Sequence, residues 1–434
     1  MKRINYKLFA ALLVLGLAPT IYTTVRVFFL GQLPGGEYSF SIAGQLSWVN
    51  LLYEIMNEGI ILPLFYFIGK VKEDKDEFSN RVRTGMLISL GVYAVLSAVV
   101  LLFAEPLLTL MATDASIIEA SASYIRIESV ANIFSILTQF ALVALVTVNK
   151  SKYLYALTGA KLVLCLVSDT FLVSTLSVSA NLGVNGIGYS NIIVNALLLV
   201  VSLVLLSKEG VKVLAKCKLN FAWATEFAKV GGISGVESLV RNVAYMVMIA
   251  RMVNVVGEQG TYWVANNFIW GWLLLPVIQL GELIKQEVAA DKENIRRNSL
   301  GYFGITAIIS ALWFASIPVW KPFMIHVLGF TDADKLFSLV LLLVGFYVLY
   351  AVQNVFDSTF YGLGKTNYML FESVVTNTIY YGIAFILYAT NAWVPTLTGI
   401  ALLFGIGNAF DSVVSLVAYA FLLKKEKINI LKVE

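Results

Sequence analysis

Twelve times along this chain a long run of mostly apolar residues is followed by a short polar link. The runs fall at roughly 8–31, 45–69, 86–111, 121–147, 153–177 and 186–207, then 231–256, 262–285, 299–320, 336–362, 367–390 and 397–422. A spanning helix needs about 20 consecutive, mostly apolar residues. Isolated runs of this length, with Gly and Pro inside them, can satisfy their backbone in a bilayer only as helices. The pattern predicts an all-α integral membrane protein with twelve transmembrane helices. Composition excludes the alternatives: 59% of the 434 residues are hydrophobic and 13% are charged, against about 45–50% and about 25% in a soluble domain. Disorder fails on the same ground.

Basic residues give the orientation. Most Lys and Arg lie at the N-terminus (Lys2, Arg3, Lys7), in alternate loops (such as Lys70, Arg81, Lys150, Lys208, Lys216, Lys218, Arg296 and Lys365) and at the C-terminus (such as Lys424 and Lys432). The opposite loops hold only Lys321 and Lys335. The positive-inside rule then puts both termini in the cytoplasm of a multi-pass protein of the cell (inner or plasma) membrane. The first run lacks a small-residue cleavage site, so a retained helix is expected rather than a removed signal peptide. Scattered bases with a net charge of +4 leave no nucleic-acid footprint. Cys165 sits in an apolar run and Cys217 in a lysine-rich loop, so no disulfide framework is expected.

The chain also repeats itself. A shift of 215 residues pairs Asn5-Tyr6 with Asn220-Phe221, Arg26 with Arg241, Trp48-Val49 with Trp263-Val264, Lys70 with Lys285 and Arg81 with Arg296. The same shift brings the turn at residues 149–153 onto 364–368, and a shift of 213 brings Gly186-Ile187 and Asn195 onto Gly399-Ile400 and Asn408. One constant register over this length implies two six-helix bundles, residues 1–207 and 231–434, joined by a linker over 208–230. Six spans per half is an even number. The halves therefore share an orientation and form a parallel repeat about a pseudo-twofold axis along the membrane normal, a transporter architecture. Within the linker, Phe221, Trp223 and Phe227 suit either a short interfacial helix or a structural lead-in to the seventh span.

Charge at bilayer depth costs about 2.5–3.5 kcal/mol on insertion scales and marks function by default. Helical spacing gathers such residues into stripes. Span 2 carries Asn50, Glu54, Asn57 and Glu58. Span 7 carries Ser234, Glu237, Ser238, Arg241 and Tyr245. Span 10 carries Tyr350, Gln353, Asn354, Asp357 and Tyr361. Lys161, Cys165, Ser168 and Asp169 line span 5; Glu372, Thr376 and Tyr380 line span 11; Asn408, Asp411 and Ser415 line span 12. Spans 3 and 9 are nearly all apolar and are expected to face lipid. Glu282 and Lys285 read as an ion pair at a helix end, Glu372 as structural, and His326 as a loop residue. Asp169 with Lys161 stands as either a structural pair or a functional one. Glu54 and Glu58 lie one turn apart, so their mutual repulsion favours a proton on one of them. Glu237 with Arg241 reads as a switch that opens when Glu237 takes up a proton or metal cation, or else as a static salt bridge. No His/Cys cluster, phosphate-cradling loop or Ser/His/Asp grouping appears, so neither an enzyme nor an ATP-driven pump is expected.

At this point the chain resembles the multidrug and toxin extrusion (MATE) family, within the superfamily that includes lipid-linked oligosaccharide flippases. Gly231-Gly232-Ile233-Ser234-Gly235-Val236-Glu237 is similar to the family's seventh helix with its buried Glu. Tyr361-Gly362-Leu363-Gly364-Lys365-Thr366 is similar to its RGxGDT turn, with Tyr361 for Arg and Lys365 for Asp. The resemblance implies a secondary antiporter that exports small, often cationic, organic molecules against sodium ions or protons by alternating access. It carries cation coupling onto Glu237, with Asp357 and Asn354 in support. Glu237 and Asp357 would hold the metal if the ion is sodium. Arg26, standing where many members have a first-helix Asp, and Tyr350, where some sodium-coupled members have a tenth-helix Asp, depart from the family. The expected substrate cavity is lined by Arg26, Arg241, Glu54, Glu58, Asn50, Tyr22, Tyr245 and Gln353. Its two arginines keep open an alternative, a flippase or exporter of an anionic or lipid-linked substrate. No cofactor beyond the coupling ion and no obligate protein partner is implied, and the chain is read as a monomer in the bilayer.

Overall fold

The computed structural model describes residues 4–148, 150, 152–213 and 219–430. Lys2, Arg3, Lys216, Cys217, Lys218, Lys432 and two residues of the turn at 149–153 lie outside them. The fold is 84% helical with no strand among the described residues, which makes it all-α. The spanning helices are α1 Tyr6–Gly31, α2 Gly36–Gly69, α3 Lys75–Leu110, α4 Ile118–Thr147, α5 Lys152–Leu172 and α6 Val184–Lys208. After them come α7 Ala224–Val255, α8 Gln259–Ala290, α9 Glu293–His326, α10 Ala333–Gly362, α11 Asn367–Ala389 and α12 Leu397–Lys425. Among the described residues eleven of these are long and apolar enough to cross a membrane, and α8, bent by 51° at its break, brings the number to twelve if its two parts form one span. Pro276 at the start of the second half of α8 accounts for the bend: its ring clashes with a carbonyl of the preceding turn and removes a donor.

Local chemistry explains where helices exceed the apolar runs. Asp74 caps α3 by accepting from the backbone N–H groups of Asp76 and Glu77 at 3.1 Å each, so that helix starts well before its apolar stretch. In the same way α9 runs on through Pro318 and Pro322 to His326, which closes the helix instead of lying in a loop. At the other extreme, α5 stops at Leu172. Helices α3 and α9 present exposed apolar side chains, among them Val95 and Leu102 on one and Ile308 and Leu312 on the other.

Two compact units emerge: unit 1 is Met1–Phe28 with Val243–Glu434, and unit 2 is Phe29–Asn242. They depart from the sequence halves at two helices. Most of α1 packs with the C-terminal helices, and the first part of α7 with the N-terminal ones. The crossing points, after Phe28 and after Asn242, are 214 residues apart, within one residue of the repeat shifts of 215 and 213. The exchange is therefore itself repeated.

Polar anchors hold each exchanged segment. In unit 1 the Asn5 N–H donates to Glu287 of α8 at 2.7 Å. Glu287 also accepts from Asn298 at 3.0 Å and from the Tyr302 hydroxyl. The Thr20 hydroxyl donates to the Gly271 carbonyl at 3.0 Å, and the Trp272 indole N–H to Thr24 Oγ1 at 3.0 Å. In unit 2, Asn220, the repeat mate of Asn5, trades two hydrogen bonds of 2.9 Å with Asn80 of α3. Trp223 donates to Thr84 at 2.9 Å and, like Phe227, is buried. Trp223 and Phe227 thus enter the core of unit 2, while Phe221 stays exposed. Unit 1 has a core of Phe356, Phe360, Met369, Ala418, Tyr419 and Leu422, drawn from α10, α11 and α12.

Candidate functional site

In unit 2 the site begins with glycine. An added Cβ on Gly231 of α7 would lie 2.1 Å from the Gly59 carbonyl oxygen of α2, so the two backbones touch where only glycine fits. Just along from this crossing, Arg241 of α7 meets Glu58 of α2 at 2.5 Å and Glu237, one turn back on its own helix, at 3.3 Å. Ser238 lies 3.5 Å from the guanidinium. All three ionised groups are partly buried, and Asn57 Oδ1 and Glu58 Oε2 are buried without a hydrogen-bond partner. Glu54 and Asn50 are exposed on α2. Two carboxyl groups flank the one guanidinium, so Arg241 presents no free positive charge here.

Arg26, the repeat mate of Arg241, lies in unit 1 and is buried over the ring of Tyr22, 5.1 Å from its centroid. Where Glu58 and Glu237 stand in the other copy, the repeat register has Leu273 and Tyr22. An aromatic face thus appears where the other copy has a carboxylate.

A second polar centre joins α10, α11 and α12 of unit 1. The Gln353 amide nitrogen donates to Asp411 at 2.6 Å and to Asp357 at 3.3 Å, while its oxygen accepts from Ser412 at 2.9 Å. Thr376 donates to Asp411 at 2.6 Å and Ser415 to Asp357 at 2.9 Å. Glu372 faces Asp357 and Ser415 and is buried. Each helix supplies an i,i+4 pair to this centre: Gln353 and Asp357, Glu372 and Thr376, Asp411 and Ser415. Of the expected site residues, Gln353 and Asp357 meet here. Asn354 turns away and donates to the Val277 carbonyl of α8 at 2.9 Å. Tyr245 packs on Phe404 at 5.7 Å and lies 3.5 Å from Asn266. Glu237 and Asp357 fall in different units. Among the described residues, no three His, Cys, Asp or Glu side chains are grouped to hold a metal ion.

Asp411, Glu372 and Thr376 belong to stripes legible in the sequence but not to the site expected from it. Each helix alone offers one carboxylate, and only packing makes three. Glu128 of α4, absent from every stripe, is buried and accepts from Asn191 at 2.7 Å. Glu282 pairs with Lys285 at 2.7 Å, and the ammonium of Lys285 covers the Tyr361 ring at 4.8 Å. Gly364 of the following turn takes φ +66°, and a Cβ on Gly362 would meet Val288 of α8 at 2.8 Å. Those two needs explain the glycines of this turn.

Comparison with known proteins gives this architecture a context. The MatE family model matches residues 71–171. No curated protein matches the chain by sequence. Among solved structures, an inward-facing multidrug resistance MATE family transporter of the MOP superfamily is similar with a TM-score of 0.77 and 15% identity, covering 94% of this chain and 95% of that one. An outward-facing MATE family transporter gives 0.69 and 16%, covering 97% and 95%. A MOP superfamily transporter from Pyrococcus furiosus, described as having a binding pocket of reverse polarity, gives 0.72 and 16%, covering 97% and 96%.

Proposed function

We propose that this multi-pass membrane protein, which has the fold of the MATE transporters, is a secondary antiporter that exports small organic, often cationic molecules against sodium ions or protons. That fold recurs in solved structures facing inward and facing outward, which supports alternating access. The observation that carries the coupled reading is Arg241 held between two carboxylates inside spanning helices. Glu58 is the nearer partner at 2.5 Å and Glu237 the looser one at 3.3 Å. Glu237 can therefore take a cation while Arg241 stays neutralised by Glu58. Coupling then needs cation and substrate to favour different states by a few kcal/mol.

The same geometry bears on the substrate. An unpaired arginine at depth favours an anionic ligand, but Arg241 is flanked by two carboxyl groups and Arg26 lies over an aromatic ring. Cationic or amphipathic molecules fit that balance better than anionic lipid-linked ones. Both termini are taken as cytoplasmic, in the cell membrane.

The test is efflux from vesicles under imposed sodium or proton gradients, with cationic and anionic substrates compared. Glu237→Gln is expected to abolish gradient-driven efflux of a cationic substrate while the protein still folds. Unchanged efflux removes Glu237 from the mechanism, and transport of anions alone reverses the substrate assignment.

A further inference from the structure

We infer that Glu372 of α11 is a proton-binding residue, which takes one proton from water onto its carboxyl and returns it, with the hydrogen-bonded carboxyls of Asp357 and Asp411 beside it. The chemistry stands on the geometry of unit 1; only its use, coupling, rests on the transport reading.

Hydrogen-bond donors are shared unequally among the three carboxyls. Ser412 donates to the Gln353 oxygen at 2.9 Å, which fixes the amide so that its nitrogen points at Asp411 and Asp357. With Thr376 on Asp411 and Ser415 on Asp357, all four aspartate oxygens accept a hydrogen bond. Such donor sets satisfy the oxygens of both aspartates. Glu372 is different. It is 3% exposed, it faces Asp357, and its Oε1 is buried with no hydrogen-bond partner. As an anion it suffers both desolvation and repulsion from Asp357. A proton on this carboxyl relieves both.

The size of the opening selects the ligand. One open oxygen takes a proton, whereas a hard metal ion gathers about six oxygens or more. The titratable groups facing the cluster are Asp357, Asp411 and Tyr381. Immediately after this stretch, α11 changes to π-helical winding over Thr376–Tyr381, a form that often marks functional sites. Loss of the proton leaves a buried anion on α11 beside the Asp357 carboxyl of α10 and works against their contact. The packed arrangement is thus the proton-loaded one.

The experiment is infrared difference spectroscopy on the full-length protein in lipid vesicles. It follows the protonated-carboxyl C=O stretch as pH rises, alongside efflux. In the parent protein a deuterium-sensitive band is expected to disappear at alkaline pH. Glu372→Gln should lack the band and lose efflux under a proton gradient roughly tenfold or more, while Glu282→Gln keeps both. A band that persists in Glu372→Gln overturns the proposal. So does its loss on adding sodium at constant pH, which assigns the site to a metal cation. If Glu372→Gln does not fold, Ser415→Ala, which withdraws a donor from Asp357, must shift the pH at which the band vanishes; an unmoved midpoint refutes the assignment. Should no gradient drive efflux while Glu372→Gln still removes the band, the transport reading fails and the proton site stands.

Discussion

Arg241 is tolerated inside the spanning helices because its charge is answered from two sides, and the two sides are unequal. The hydrogen bond to Glu58 is short and joins two helices, whereas that to Glu237 is a looser contact along one helix. Glu58→Gln is therefore expected to destabilise the protein by about 1–3 kcal/mol, the usual worth of a hydrogen bond to a charged group. Glu237→Gln should cost only about 0.2–0.5 kcal/mol, the range for pairs along one helix. Thermal unfolding in detergent ranks the two, and a larger loss for Glu237→Gln contradicts the assignment of Glu58 as the structural partner. Glu426, just past α12, offers a residue-scale test in pH. Hydrogen bonds from Lys292 and Lys365 hold its carboxyl down at about 2. An acid depressed on folding contributes stability above its ordinary value near 4.3 and loses that contribution as pH falls toward the folded value. The parent should thus unfold at higher temperature than Glu426→Gln above about pH 4.5, with the gap closing as pH approaches 2. The sequence shows Glu237 beside Arg241 because both lie on one helix. It is silent on Glu58 with Arg241, and on Glu372 with Asp357, because those pairs exist only once separate helices pack.

At the scale of elements, the spans are legible since apolar length is written directly in the chain. Their ends and breaks are less so. The early start of α3 depends on a cap at Asp74, and the bend in α8 on one proline. The π-helical segments Met246–Ala250, Ile269–Leu273 and Thr376–Tyr381 have no compositional signature at all. The contact of α2 with α7 is half-legible: adjacent glycines at 231 and 232 advertise a close approach but not which of them makes it. Gly231→Ala forces a Cβ to 2.1 Å from the Gly59 oxygen, while Gly232 has nothing within 4 Å. The first change should cost about 1–3 kcal/mol as an overpacked contact. The second should be neutral or stabilise by up to about 1 kcal/mol. Denaturant titration of both variants decides, and equal effects would mean that α2 and α7 do not touch there.

For the whole molecule, the internal repeat was visible in sequence, but the compact units were not. Periodicity gives the order of helices, whereas the choice of partner for α1 is made by Glu287, Gly271 and Trp272, more than two hundred residues away. This exchange makes a strong prediction. Residues 1–213 and 219–434, co-expressed as separate chains, should co-purify, because α1 completes the unit of the second fragment and α7 that of the first. Starting the first fragment at Phe29 should sharply reduce recovery of the pair; co-purification at undiminished yield would show that α1 is dispensable to unit 1. The exchange also sets a timetable for biosynthesis. Helix α1 is made more than two hundred residues before the partners that anchor it. Until then α1 must wait in the membrane carrying Arg26 with Tyr22 as a local shelter. Unit 2, in turn, cannot close until residue 242 has been synthesised. Neither unit is finished before residue 242 is made, and both bundles stay incomplete across that interval.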